Sequence, residues 1–145
     1  IIINIKINFN HPKMNSIQFI LCFLLVIVVD IPYLYLNADF YKKKTLQISG
    51  KPYPDNRLYS AIIVYIAIAS GIITFVLPHI DTSKSHMTRF RSALMYGGLF
   101  GSLTYAIFDF TNHFMFEKWD IYVSLMDAIW GGILCALVSF IISYM

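Results

Sequence analysis

Three aspartates, Asp30, Asp109 and Asp127, lie inside apolar stretches of helix length, and no lysine or arginine shares those stretches. A charged carboxyl without a partner is costly in hydrocarbon. Such residues face a bundle interior or a wet cavity and mark proton relays, ion paths and ligand sites. Spacing gathers more polar groups around them. Tyr105, Asp109, Asn112 and His113 share one helix face, as do Ser124, Asp127, Trp130 and Gly131. Asp30, Asp109, Asn112, His113, Asp127 and Trp130 are therefore the candidate residues for binding a ligand or ion. Arg57 is a candidate counter-ion.

The elements that must position these residues follow from hydropathy. The chain has 145 residues, 58% hydrophobic and 13% charged. Soluble domains are about one-quarter charged, so this composition belongs to the membrane class. Stretches near 17–36, 58–77, 92–114 and 121–144 each approach the ~20 apolar residues that cross a bilayer. In lipid each must be a helix, because its backbone groups have to be satisfied within the segment. The expected fold is all-α, a polytopic bundle of four transmembrane helices. Met14 directly precedes the first stretch, so residues 1–13 are expected to be a disordered or non-native extension and 14–145 the transmembrane domain.

The connections add detail. Pro32 should kink or end the first helix. The run ADFYKKKTLQ after it reads as a short interfacial helix, with Phe40, Tyr41 and Leu46 toward lipid and Lys42, Lys43 and Lys44 toward water. Pro52, Pro54, Asp55 and Asn56 read as turn residues. Thr82 or Ser83 is placed to cap the third helix and Asp120 the fourth. The short third loop, MFEKWD, makes helices three and four antiparallel neighbours, with Trp119 at the interface. Basic residues divide almost evenly between the two sides, leaning toward a cytoplasmic first loop. With helix ends at Leu36, Phe114 and Asp120, the aspartates would lie ~9, ~8 and ~10 Å from one membrane edge, at a common depth.

Several classes are excluded or left without support. The formal charge of +3 resides in loops and suits lipid headgroups, and no basic patch suits nucleic acid. Cys22 and Cys135 have no metal or redox spacing and read as buried small residues. No phosphate-binding loop, HExxH or Ser/His/Asp set is present, so no catalytic residue, metal site or cofactor is assigned. The glycines of the third and fourth helices allow close backbone approach, either within the chain or in a homo-oligomer.

The run GGLFGSLTYAIFDFTN at 97–112, Trp119, and SLMDAIWGGIL at 124–134 resemble a family of small four-helix membrane proteins, domain of unknown function 2177. The matching positions are Gly97, Gly101, Asp109, Thr111, Asn112, Trp119, Asp127, Trp130 and Gly131, with Asp30 matching an aspartate near the end of the first helix. The chain departs from the family at Pro32-Tyr33, where a bulky aromatic usually follows the first aspartate, and at Phe108, where a tyrosine is common. The resemblance implies a multi-pass integral membrane protein, in a bacterial inner membrane or a viral or host membrane. It implies a residue set but no reaction.

Three functions fit these residues. The leading one is a membrane protein whose aspartate cluster binds or relays a proton, a cation or a small polar ligand. The second is a structural or assembly protein, for example of a viral inner membrane. The third is a lipid-modifying enzyme. A wet path to the aspartates favours the first, a dry hydrogen-bonded cluster the second, and a lateral groove sized for a lipid headgroup the third.

Overall fold

The structure is a computed structural model that describes residues 15–51 and 57–145. The expected extension at 1–13, and the turn residues Pro52, Pro54, Asp55 and Asn56, lie outside the described residues. The described chain is all helical. It forms α1 (Ser16–Ser49), α2 (Leu58–Gly71), α3 (His86–Ser92), α4 (Gly98–Met115) and α5 (Ile121–Ile142). A π turn, Ile72–Val76, and a 3-10 turn, Leu77–His79, extend α2. A second π turn, Ala93–Gly97, joins α3 to α4. Four rods result.

Helix α1 departs most from the sequence expectation. Asn15 caps its start, accepting a hydrogen bond from the Ile17 amide at 3.1 Å. The helix then runs through Pro32 and on to Ser49. Neighbouring helices and local adjustment let a membrane helix tolerate proline. Beyond Pro32 nothing in the sequence stops the helix before Gly50. That glycine adopts φ 68° and donates its amide to the Leu46 carbonyl at 2.9 Å, an αL cap that glycine adopts without a Cβ penalty. The separate interfacial helix is thus the second half of α1. At ~1.5 Å per residue its 34 residues span ~51 Å, well beyond a ~30 Å hydrocarbon core.

The end of α1 is tied to the α4–α5 loop. Lys44 donates from Nζ to the Lys118 carbonyl at 3.0 Å, and Lys118 returns a bond to the Gln47 carbonyl at 3.3 Å. Gln47 is in the last turn of α1, where carbonyls lack helical partners.

The outer surface is apolar. Ile17, Leu24, Val28, Ile63, Phe75, Leu99 and Phe114 are all exposed, while Asp30, Asp109 and Asp127 are buried. Contiguous exposed apolar surface on this scale marks an interaction surface, here a lipid-facing one. By length and composition, α1, the run Leu58–His79, and α5 are able to cross a membrane. Helix α4, expected as a fourth span, is not among these three, because its last turns carry Asp109, Thr111, Asn112 and His113. The core packs Cys22 and Val26 of α1 against Ile68, Ala69 and Ile72, and these against Leu134, Cys135, Val138 and Ile142 of α5. Both cysteines are buried and free.

Helices α4 and α5 touch through their backbones. A Cβ added at Gly101 would lie 1.9 Å from the Gly131 carbonyl oxygen, and one at Gly131 would meet the Tyr105 ring at 2.4 Å. A Cβ at Gly98 would make only ordinary van der Waals contact, its nearest neighbour 3.9 Å away. Small residues of this kind let membrane helices pack closely. We expect Gly101→Ala to destabilise the protein by about 2–3 kcal/mol, the upper part of the overpacking range, because the obstacle is backbone. Gly98→Ala should be neutral or stabilising by up to about 1 kcal/mol. Thermal unfolding of both variants in detergent checks this, and equal melting temperatures would refute the close contact.

The turn between the second and third rods is organised by Asp81. Its Oδ1 accepts from the Ser83 amide at 2.9 Å and the Ser83 hydroxyl at 2.7 Å. The cap of α3 is therefore Ser85, which accepts from the Thr88 amide, and neither Thr82 nor Ser83 takes that position. The Ser83 bonds hold the Asp81 carboxyl below its ordinary value of 3.8. A lowered folded value stabilises the turn above the unfolded value and loses that contribution as pH falls through the folded one. The Ser83 amide resonance should therefore titrate with a midpoint below 3.8. A midpoint at or above it would show that the bonds do not form.

Candidate functional site

The site begins with one face of α1. Asp30, Tyr33, Asn37 and Tyr41 recur at three- and four-residue steps, so they lie along a single stripe. The stripe continues the buried positions Cys22 and Val26. Asn37 keeps to its own helix, donating from Nδ2 to the Tyr33 carbonyl at 2.9 Å. The other three side chains turn toward the bundle.

Asp30 accepts two hydrogen bonds from neutral donors. The Trp130 indole N–H reaches its Oδ1 at 2.8 Å, and the Tyr65 hydroxyl reaches its Oδ2 at 2.9 Å. Asp127 is held the same way from the opposite direction. Tyr41 donates its hydroxyl toward both carboxyl oxygens, at 2.6 and 2.7 Å, and Tyr33 donates to Oδ1. Tyr33 also stacks on Trp130, with ring centroids 4.5 Å apart and planes 7° from parallel. One aromatic pair thus joins the two carboxyl groups. Asp30 sits at the level of Trp130, about one helical turn deeper than Asp127. The common depth expected from helix ends fails, since α1 does not end at Leu36.

Asp109 is different. It is 1% exposed, and neither carboxyl oxygen has a hydrogen-bond partner. The side chains of Asp127 and Trp119 lie within electrostatic range, but neither meets it in hydrogen-bonding geometry. Nearby donors are committed elsewhere. The Trp119 indole donates to the Ser124 hydroxyl at 3.2 Å, and that hydroxyl is 3.3 Å from the Asp109 backbone carbonyl. A buried polar group left unpaired costs about 1–3 kcal/mol, more when charged. Asp109 thus keeps an unmet demand for a proton, a cation or a polar ligand.

The remaining candidates sit at the edge. Asn112 is half-buried at the last turn of α4, and its backbone carbonyl accepts from the Phe116 amide at 2.8 Å. His113 is exposed and pairs through Nδ1 with the Trp119 carbonyl at 3.0 Å, away from Asp109. Arg57 is exposed at the start of α2 and is not a hydrogen-bond partner of Asp30 or Asp127. Asp120 caps α5 as expected, accepting from the Tyr122 amide at 2.9 Å. No group of three His, Cys, Asp or Glu side chains with metal-binding geometry occurs among the described residues.

Sequence reasoning missed Tyr33, Tyr41 and Tyr65, the donors that hold the carboxylates. The stripe at 30, 33, 37 and 41 would have revealed the first two if α1 had been continued past Leu36. Tyr65 carries no such signal, because its surroundings on α2 are apolar all round.

The single hydroxyl proton of Tyr41 is shared between both oxygens of Asp127, whereas Tyr33 reaches only Oδ1, and this makes the tyrosines unequal. Tyr41→Phe leaves Oδ2 without a donor and should cost about 1–3 kcal/mol. Tyr33→Phe leaves the Tyr41 hydroxyl within reach of both oxygens and keeps the stack on Trp130, so its cost should be smaller. Chemical or thermal unfolding of the two variants gives the order, and the reverse order would show that Tyr41 does not hold Asp127.

Neither a curated protein nor a solved structure matches the chain. A family model described as a predicted membrane protein, DUF2177, matches residues 15–144 and so includes every residue of the site. With an apolar exterior, buried carboxyl groups and this match across nearly its whole length, the chain belongs to the DUF2177 family of predicted membrane proteins.

Proposed function

We propose that this is a multi-pass membrane protein whose Asp109–Asp127 pair binds or relays a proton, a monovalent cation or a small polar ligand. The observation that carries the reading is the unpartnered, fully buried carboxyl of Asp109 beside Asp127. Two carboxyl groups in range of one another cannot both hold charge cheaply. A proton or cation between them removes the repulsion. Asp127 already receives tyrosine hydroxyls, so it is the anchored member. Asp109 is the member free to exchange.

The division of labour assigns Asp30 a positioning role. Both of its oxygens are occupied by donors from α2 and α5, which locks three rods together. That feature favours a second reading, in which the whole cluster serves helix association. Inter-helix polar contacts in membranes contribute modestly, on the order of 0.6–2 kcal/mol each. The two readings divide at Asp109, where association gains nothing from a group that makes no bond.

Infrared spectra of the purified protein in vesicles, recorded across pH, test the proposal. A protonated-carboxyl band should vanish in Asp109→Asn, shift in Asp127→Asn and persist in Asp30→Asn. A band indifferent to the Asp109 substitution would sink the proposal.

Stability supplies an independent check. Functional sites hold groups that cost folding energy. Asp109→Leu should raise stability by about 1–2 kcal/mol as the unpaired group is removed. Asp30→Leu and Asp127→Leu should lower it, since each strands two donors. If all three substitutions destabilise alike, the association reading takes over.

A further inference from the structure

The rods of α2 and α4 meet closely at Gly71. There the Phe100 ring sits on Gly71, where a Cβ would come within 2.2 Å of it. Beyond that point lies a groove of about 690 Å³ between the two rods, walled by Val64, Gly71 and Phe75 on one side and Phe100, Thr104 and Phe108 on the other. Tyr105, whose ring packs on Gly131, forms part of its floor. Two of the hydroxyls in the walls are taken up by their own helices. Thr104 donates to the Phe100 carbonyl at 2.8 Å and Ser70 to the Ile66 carbonyl at 2.7 Å, each to its own helix. The lining is almost wholly carbon.

We propose that this groove binds one acyl chain of a membrane phospholipid. It lies along Leu58–His79, a run able to span a membrane, and its rims Val64, Phe75 and Phe108 are exposed apolar residues. Hydrocarbon is therefore the medium outside it. At ~1.5 Å per residue, Val64 to Phe75 spans ~16 Å along the groove, a length that an extended acyl chain fills. No charged side chain lines the groove to meet a phosphate, so it holds the tail and the headgroup stays outside. The proposal stands independently of the carboxyl site.

The test uses 1-palmitoyl-2-oleoyl phosphatidylcholine vesicles carrying the full chain, followed by extraction into dodecyl maltoside and native mass spectrometry. The wild-type chain should retain one phosphatidylcholine. Thr104→Trp, which fills the groove from an exposed position, should lower the lipid-bound fraction at least tenfold. Ala67→Phe, from the opposite wall, should do the same. Leu99→Trp, exposed on α4 outside the groove, should retain lipid like the wild type. Melting temperatures identify any variant that fails to fold, and the second groove variant then decides. A wild-type chain free of lipid, equal retention in groove and control variants, or a dimer that the groove substitutions dissociate would each overturn the proposal.

Discussion

The backbone contact between Gly101 and Gly131 is the constraint on which the rest of the architecture depends. With a side chain at either position the two helices could not approach as they do. That approach carries Asp109 to the level of Ser124 and sets its carboxyl within range of Asp127. The short α4–α5 loop then places Trp119 over the same region, edge-on to Phe108 at 6.5 Å. A wider crossing would admit lipid or water between the rods and relieve the demand on Asp109. The electrostatic character of the site is thus a consequence of steric permission several residues away.

The second principle is the use of neutral donors. Asp30 and Asp127 are met by two tyrosines, a third tyrosine and a tryptophan, drawn from α1, α2 and α5. A lysine or arginine in their place would have to be desolvated as well, and buried ion pairs often fail to recover that cost. Phenol and indole groups bring one polar atom on a large apolar body, so they stabilise a carboxyl group while filling the core. This explains how Asp30 and Asp127 lie buried in apolar stretches that hold no lysine or arginine.

Much of this was legible in the chain itself. The three aspartates, the glycines and the tight third loop are all signals of composition or spacing, and they point to the faces that pack. What escaped was the role of α1. Pro32 reads as a stop because proline removes a helical hydrogen bond, yet the apolar surroundings favour continued helix and the next residue suited to end it is Gly50. Terminating α1 early turned Tyr41 into a lipid-facing residue and gave the aspartates a false common depth. His113 failed for a different reason. Spacing put it on the face of Asp109, but it lies at the end of α4, where the Trp119 carbonyl offers a closer partner. Helix periodicity fixes direction only where the helix is embedded on both sides.

The continuation of α1 also explains how the two carboxyl subsites are joined. Trp130 donates its N–H to Asp30 and lays its face on Tyr33, and Tyr33 donates to Asp127. A rotation of Trp130 that breaks the first bond must disturb the stack, and with it the position of the Tyr33 hydroxyl. Tyr41, eight residues farther along the same helix, holds Asp127 independently of this pair. Its position is in turn secured by the exchange of lysine bonds between the end of α1 and the α4–α5 loop. Asp127 is therefore braced from two directions, one reaching into the membrane core and one reaching to its edge. Asp109, braced from neither, is the only carboxyl group of the three whose state can change without first breaking a hydrogen bond.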